Sequence, residues 1–165
     1  MGFSTDRLTR ARGHGPVVAL AFLVIGALVL TGCSSPASSS PSSAAGGTVK
    51  VTLTEWAVVT DKASVPAGNV TFEVTNAGTQ FEHEFVVIKS DLAPADLPAV
   101  DGKVDEEGAG IEFIGEIEGM AIGATESDSF ELTAGKYVLI CNIVEAAGGH
   151  ESHYTQGMRA AFTVN

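Results

Sequence analysis

The folded part of this chain begins with Thr48-Val49-Lys50-Val51-Thr52-Leu53-Thr54-Glu55, in which apolar and polar side chains alternate. The same period of two returns in Val70-Thr71-Phe72-Glu73-Val74-Thr75, and both stretches are rich in β-branched residues. Successive side chains of a strand point to opposite faces of a sheet, so this alternation predicts strands with one buried face.

Four further segments continue the strand pattern: Phe81–Ile88, Ser127–Leu132, Lys136–Asn142 and Met158–Val164. Turn signals rich in Gly, Pro and Asn separate several of these segments. Short strands at such spacing predict an all-β sandwich or barrel. The segment Leu92–Glu107 is acidic and irregular, and it is compatible with a short helix or an ordered loop.

The first 32 residues have the composition of an export signal. Arg7, Arg10 and Arg12 precede Pro16–Leu30, an uncharged run of 15 residues that is short for a membrane-spanning helix. The run ends in Leu30-Thr31-Gly32-Cys33, which resembles the lipobox of bacterial lipoproteins. This resemblance implies a signal peptide over 1–32 and a lipid on Cys33 that anchors the chain to the cell membrane. The alternative is an uncleaved anchor helix, and both interpretations place the rest of the chain outside the cytoplasm.

Residues 33–47 are rich in Ser, Pro, Ala and Gly, and they have too little apolar surface to offset the entropy cost of ordering them. We therefore expect a flexible tether, followed by one domain over 48–165. The chain from Cys33 onward keeps 6 of the 9 basic residues and 19 of the 20 acidic residues, a formal charge of -13. Nucleic-acid binding is excluded, because it requires clustered Lys and Arg.

The chain has two cysteines, and a lipid on Cys33 would leave Cys141 without a disulfide partner. Free thiols are oxidised outside the cytoplasm, so an exported lone thiol needs an explanation. Cys141 is either a small buried apolar residue or a metal ligand. Thiolate ligands favour copper or zinc.

Strand register brings other possible ligands toward the same place. His83 shares a strand face with Phe81 and Phe85, and it is either a hydrogen-bonded core histidine or a ligand. Cys141 lies at the end of a strand, and Met158 opens the last strand. These positions, together with a histidine of the intervening loop, are expected to converge at one end of the sandwich.

These residues resemble the cupredoxins, the blue-copper proteins. The resemblance covers 48–165 and is most specific in Gly135-Lys136-Tyr137-Val138-Leu139-Ile140-Cys141 and His153-Tyr154-Thr155-Gln156-Gly157-Met158. It implies a Greek-key β-sandwich and one copper that cycles between Cu(I) and Cu(II), held by His83, Cys141, His153 and Met158. The stretch Asn142–Ser152, eleven residues long, exceeds that of compact members of the family.

Two histidines, His150 and His153, lie between Cys141 and Met158. We expect His153 to be the ligand, because the four residues before Met158 suit one turn and include Gly157. His150 follows Gly148-Gly149, where fixing the backbone costs more entropy.

The resemblance implies a monomeric one-electron carrier that docks on partners with a basic surface. It is not expected to be an enzyme, since four protein ligands leave no open position for a substrate. The alternatives are copper trafficking, storage or delivery to an oxidase, and a structural or adhesive sandwich with incidental His and Cys. Zinc would accept the same ligands without redox chemistry. Met120 and Trp56 are expected in the core, and the carboxylates of Asp101–Glu118 on a solvated face.

Overall fold

Eleven β-strands and one helical turn make up residues 46–146 and 151–165, which are the residues that this computed structural model describes. The first sheet has the order β2-β1-β4-β9, and the second has the order β3-β11-β10-β5-β8. Strands β6 and β7 form a separate hairpin. The strands of the first sheet are β1 Gly47–Thr54, β2 Ala57–Thr60, β4 Gly68–Asn76 and β9 Thr125–Leu132. Those of the second are β3 Ser64–Val65, β5 His83–Lys89, β8 Glu112–Met120, β10 Gly135–Ile140 and β11 Arg159–Val164. The hairpin is β6 Ala99–Val100 and β7 Lys103–Val104, and the helical turn is α1 His153–Gln156.

The main core lies between the two sheets. Phe72 of the first sheet contacts Phe85 and Phe162 of the second, with ring centroids 5.1 Å and 5.7 Å apart. All three side chains are almost completely buried. The predicted all-β sandwich is therefore confirmed, with two parallel pairings, β1 with β4 and β3 with β11, among otherwise antiparallel neighbours.

All six predicted strands are present, within three residues of their expected ends. Strand β1 begins at Gly47, one residue before the expected start, and Gly46 before it is buried against Val70. The sequence did not predict β2, β3 or β8. Strand β8 was missed because it lies at a sheet edge with most side chains at least partly exposed, so its acids and Gly115 hide the alternation.

The connection between β5 and β8, residues 90–111, forms a second core on the outer face of the second sheet. It has no helix, so the ordered-loop alternative for Leu92–Glu107 is the correct one, and it includes the β6–β7 hairpin. Leu97 and Val104 of this connection pack with strand residues and with Tyr154 of the helical turn. We call residues 90–111 the brace, because they contact both sides of the loop after β10.

Within the described residues, no helix has the length and apolar character needed to cross a membrane. The signal peptide, Cys33 and the tether up to Ala45 lie outside the described residues.

Candidate metal centre

Three of the predicted ligands meet at one end of the sandwich. His83 opens β5, Cys141 follows β10 directly, and His153 opens the helical turn α1. Strands β5 and β10 are antiparallel neighbours with Val86 opposite Ile140, so their register brings His83 and Cys141 to the same end of the sheet. The predicted convergence of strand ends is therefore observed.

The donor atoms of these residues face one another. Nδ1 of His83 lies 3.1 Å from Nδ1 of His153, and Sγ of Cys141 lies 3.9 Å and 3.2 Å from these two nitrogens. The three donor atoms all lie within 4.8 Å of one another. Bonds of about 2.0 Å to nitrogen and about 2.3 Å to sulfur place two ligands of one ion roughly 3–4 Å apart. The observed separations therefore suit one small metal ion.

Burial sets the protonation of the two imidazoles. His83 and His153 have no exposed surface. Burial, and then the neighbouring His153, lowers the pKa of His83 to about 4. Burial also lowers the pKa of His153, although Glu145, Glu151 and Glu55 partly offset this effect. Both rings are therefore neutral at pH 7, which is the form that binds metals.

The outer nitrogens of these rings also fit a metal-binding role. Nε2 of His83 and Nε2 of His153 are buried, and neither makes a hydrogen bond within the described residues. A buried ring nitrogen without a partner is costly, so this pair of rings is not a self-sufficient core contact. Nδ1 bound to a metal would fix the tautomer of each ring, with the proton on Nε2.

The thiol of Cys141 is neutral in the metal-free protein. Burial raises the pKa of Cys141 to about 12, and the Glu84 N–H donates to its Sγ over 3.4 Å. A metal would have to displace this proton, because the thiolate is the ligand form. The carboxylate of Glu84 also accepts the N–H of Asn142 over 2.8 Å, which ties the residue after His83 to the residue after Cys141.

The helical turn that presents His153 is capped at both ends. Ser152 is its N-cap and accepts the N–H of Thr155 at its hydroxyl. Gly157 ends the turn with φ 131, a backbone angle that favours glycine. A Cβ at Gly157 would also lie 2.9 Å from the carbonyl oxygen of Trp56. The predicted compact turn with a special backbone at Gly157 is thus observed.

Met158 is buried at the same end of the sandwich. Its N–H donates to the carbonyl oxygen of His153, and its carbonyl oxygen accepts the N–H of Cys141. The backbone of Met158 therefore touches two of the three grouped residues, while its role as a fourth ligand stays a prediction. His150 lies outside the described residues.

The brace holds the Cys141–Met158 loop at three points. Asn142 is buried and bonds to the backbone N–H and carbonyl oxygen of Val104. The Ser152 hydroxyl donates to the carbonyl oxygen of Gly102, and the Tyr154 hydroxyl donates to that of Pro94. These contacts fix the backbone beside Cys141 and His153.

Several residues of the site were not predicted. Trp56 was expected in the core, but it is only partly buried and its ring contacts His153, with centroids 5.3 Å apart. Phe81 contacts the same imidazole at 5.5 Å, and Oε1 of Glu145 lies 3.5 Å from its Nε2. The expectation for Met120 is correct, since it is fully buried in the main core.

No known family profile matches the chain, and no curated protein matches it significantly. The fold does match solved structures. A reduced auracyanin from Roseiflexus castenholzii is 21% identical, with a TM-score of 0.53 over 73% of this chain and 98% of the other. The chain has the cupredoxin fold. Rusticyanin, described as a copper protein, shares this cupredoxin fold at 18% identity and a TM-score of 0.51, over 73% of this chain and 80% of its own. A second rusticyanin structure, from Thiobacillus ferrooxidans, is 17% identical with a TM-score of 0.50, over 73% and 79%.

Proposed function

We propose that this protein binds one copper ion through His83, Cys141 and His153, with Met158 as a weak axial ligand, and carries single electrons. The observation that supports this most strongly is the buried cluster of two Nδ1 atoms and one Sγ atom within 4.8 Å. Two imidazoles, one cysteine and a distant methionine form the donor set of blue-copper sites. Copper, when bound, supplies a one-electron change between Cu(II) and Cu(I).

The chain itself contributes rigidity. His83 and Cys141 are attached to paired strands, and the brace holds Asn142, Ser152 and Tyr154. A site that moves little between two oxidation states transfers electrons with a small reorganisation cost. Because both imidazoles and the thiol are completely buried, a substrate has no open access to the donors, which favours a carrier over an enzyme.

The same burial separates this proposal from copper trafficking. Delivery of copper by ligand exchange requires a ligand of the receiving protein to reach the ion, whereas an electron can cross a few ångströms of packed protein. The donors His83, Cys141 and His153 have no exposed surface. Trafficking or storage is therefore the second candidate, and it would require this end of the sandwich to open.

The location follows from the sequence. A lipid on Cys33 and a tether would hold the domain at the outer face of the cell membrane as a monomer, within reach of redox partners with basic surfaces. The charge of -13 from Cys33 onward supports such partners, since opposite charges accelerate encounter at low salt.

A redox titration of the copper-loaded full chain in detergent tests electron transfer directly. We expect a reversible one-electron couple with one copper per chain, and copper retained after repeated cycles. Release of copper on reduction would support the trafficking function instead. Zinc bound in preference to copper by the purified protein would contradict both.

A further inference from the structure

The imidazole of His153 is covered by two aromatic side chains. Trp56 and Phe81 each meet this ring edge to face, at centroid distances of 5.3 Å and 5.5 Å, and they contact each other at 5.5 Å. His153 has no exposed surface, whereas Trp56 and Phe81 both keep some. The two rings therefore stand between His153 and the solvent, and we call them the aromatic cover.

The aromatic cover is held in place by contacts that are independent of a metal. Glu55, next to Trp56, accepts the backbone N–H groups of Thr79 and Gln80 at one carboxylate oxygen, over 2.8 Å and 2.9 Å. This ties the turn that carries Trp56 to the loop that carries Phe81. The Trp56 backbone also packs directly on Gly157, at the end of the His153 turn.

Carboxylates surround the aromatic cover. Glu145 lies 3.5 Å from the His153 ring, and Glu151 and Glu55 are close enough to raise its pKa against the effect of burial. All three glutamates are only partly buried, so their charge is felt at the surface. A partly exposed apolar centre with an acidic rim has the composition of a docking site for a basic protein.

We propose that the Trp56–Phe81 cover, with its rim of Glu55, Glu145 and Glu151, is the surface on which a redox protein with a basic face docks, and that the cover keeps small molecules away from His153. This proposal rests on the proposed function. In the step it serves, one electron passes from the reduced partner to Cu(II), leaving an oxidised partner and Cu(I). No bond forms or breaks, and no proton moves.

The first test uses the copper-free full chain, in which Trp56 is the one tryptophan. Fluorescence quenching at low ionic strength is compared with that of N-acetyltryptophanamide. We expect caesium to quench Trp56 more effectively than iodide, relative to this reference, and salt to remove the difference. Iodide quenching equal to that of caesium, or no quenching by neutral acrylamide, would overturn the proposed surface.

The second test uses the copper-loaded full chain in detergent and two reductants of different size. Reduced mitochondrial cytochrome c serves as the basic one-electron protein, and ascorbate as the small molecule. We expect Trp56→Leu to slow the reaction with cytochrome c roughly tenfold and to accelerate the reaction with ascorbate. Trp56→Phe keeps an aromatic ring and should retain most of the cytochrome rate.

Matched controls lie at the other end of β8, where Phe113 and Glu112 are exposed near Lys89. Phe113→Leu and Glu112→Gln should leave both rates within twofold of wild type, whereas Glu151→Gln should slow only cytochrome c, and only at low salt. Equal acceleration of both reductants in Trp56→Leu would show a cover without docking and would contradict the proposal.

The proposed function can fail separately. If the loaded chain lacks thiolate-to-copper absorption, the copper assignment fails, while the quenching result still decides whether this surface is exposed and acidic.

Discussion

Replacement of Asn142 by Ala should destabilise the fold more than any ordinary loop substitution, because this side chain joins the ligand loop to the brace. Its Oδ1 accepts the N–H of Val104 over 2.7 Å, and its Nδ2 donates to the carbonyl oxygen of Val104 over 3.0 Å and to Glu106 over 2.8 Å. Asn142 and Val104 are almost fully buried.

The substitution leaves two backbone groups of Val104 without these partners. A buried group that loses its hydrogen bond costs roughly 1–3 kcal/mol, so we expect a loss of about 2–4 kcal/mol in the free energy of unfolding. Urea unfolding of the copper-free full chain measures it. Asn69→Ala, at an exposed position of β4, is the matched control and should cost less than about 0.5 kcal/mol. Equal, small losses in both variants would refute the role of the brace.

Three further predictions concern the anchor, the loop histidines and pH. Cys33→Ala should abolish acylation, which metabolic labelling with a fatty acid detects; label in the variant would refute the lipid site. His153→Ala should lose the copper absorption and high affinity, whereas His150→Ala should keep both, and the reverse result would show that the loop has another register. The copper-free fold should lose stability as pH falls from about 6.5 to about 4. There the unfolded chain binds a proton that buried His83, with its pKa lowered to about 4, does not. This loss is roughly 3 kcal/mol from His83 alone, and a flat urea midpoint across that range would contradict it.

The sequence predicts the parts of this fold that follow local rules. Alternation located β1, β4 and β5, and it also put His83 on the inward face with Phe85, as observed. Cys141 at the end of an apolar strand and Gly157 before the last strand were readable for the same reason: their roles depend on a few neighbouring residues.

Other parts depend on contacts between distant segments. Trp56 lies in the turn after β1, yet it packs on a residue almost a hundred positions later, and no local pattern indicates this. Asn142 and the brace likewise meet only in the folded chain. Strand β8 escaped prediction because an edge strand with exposed acids does not need a regular apolar face.

The central claim, a copper ion held by the thiolate of Cys141, is tested most directly by the visible spectrum of the full chain titrated with Cu(II). We predict an intense absorption band, from sulfur-to-copper charge transfer, that saturates at one copper per chain. Cys141→Ser, which keeps the size of the side chain, should bind copper without this band while its far-ultraviolet circular dichroism stays that of the wild-type sandwich. A wild-type chain that binds copper tightly but stays colourless, or a Cys141→Ser variant that keeps the band, would contradict the account.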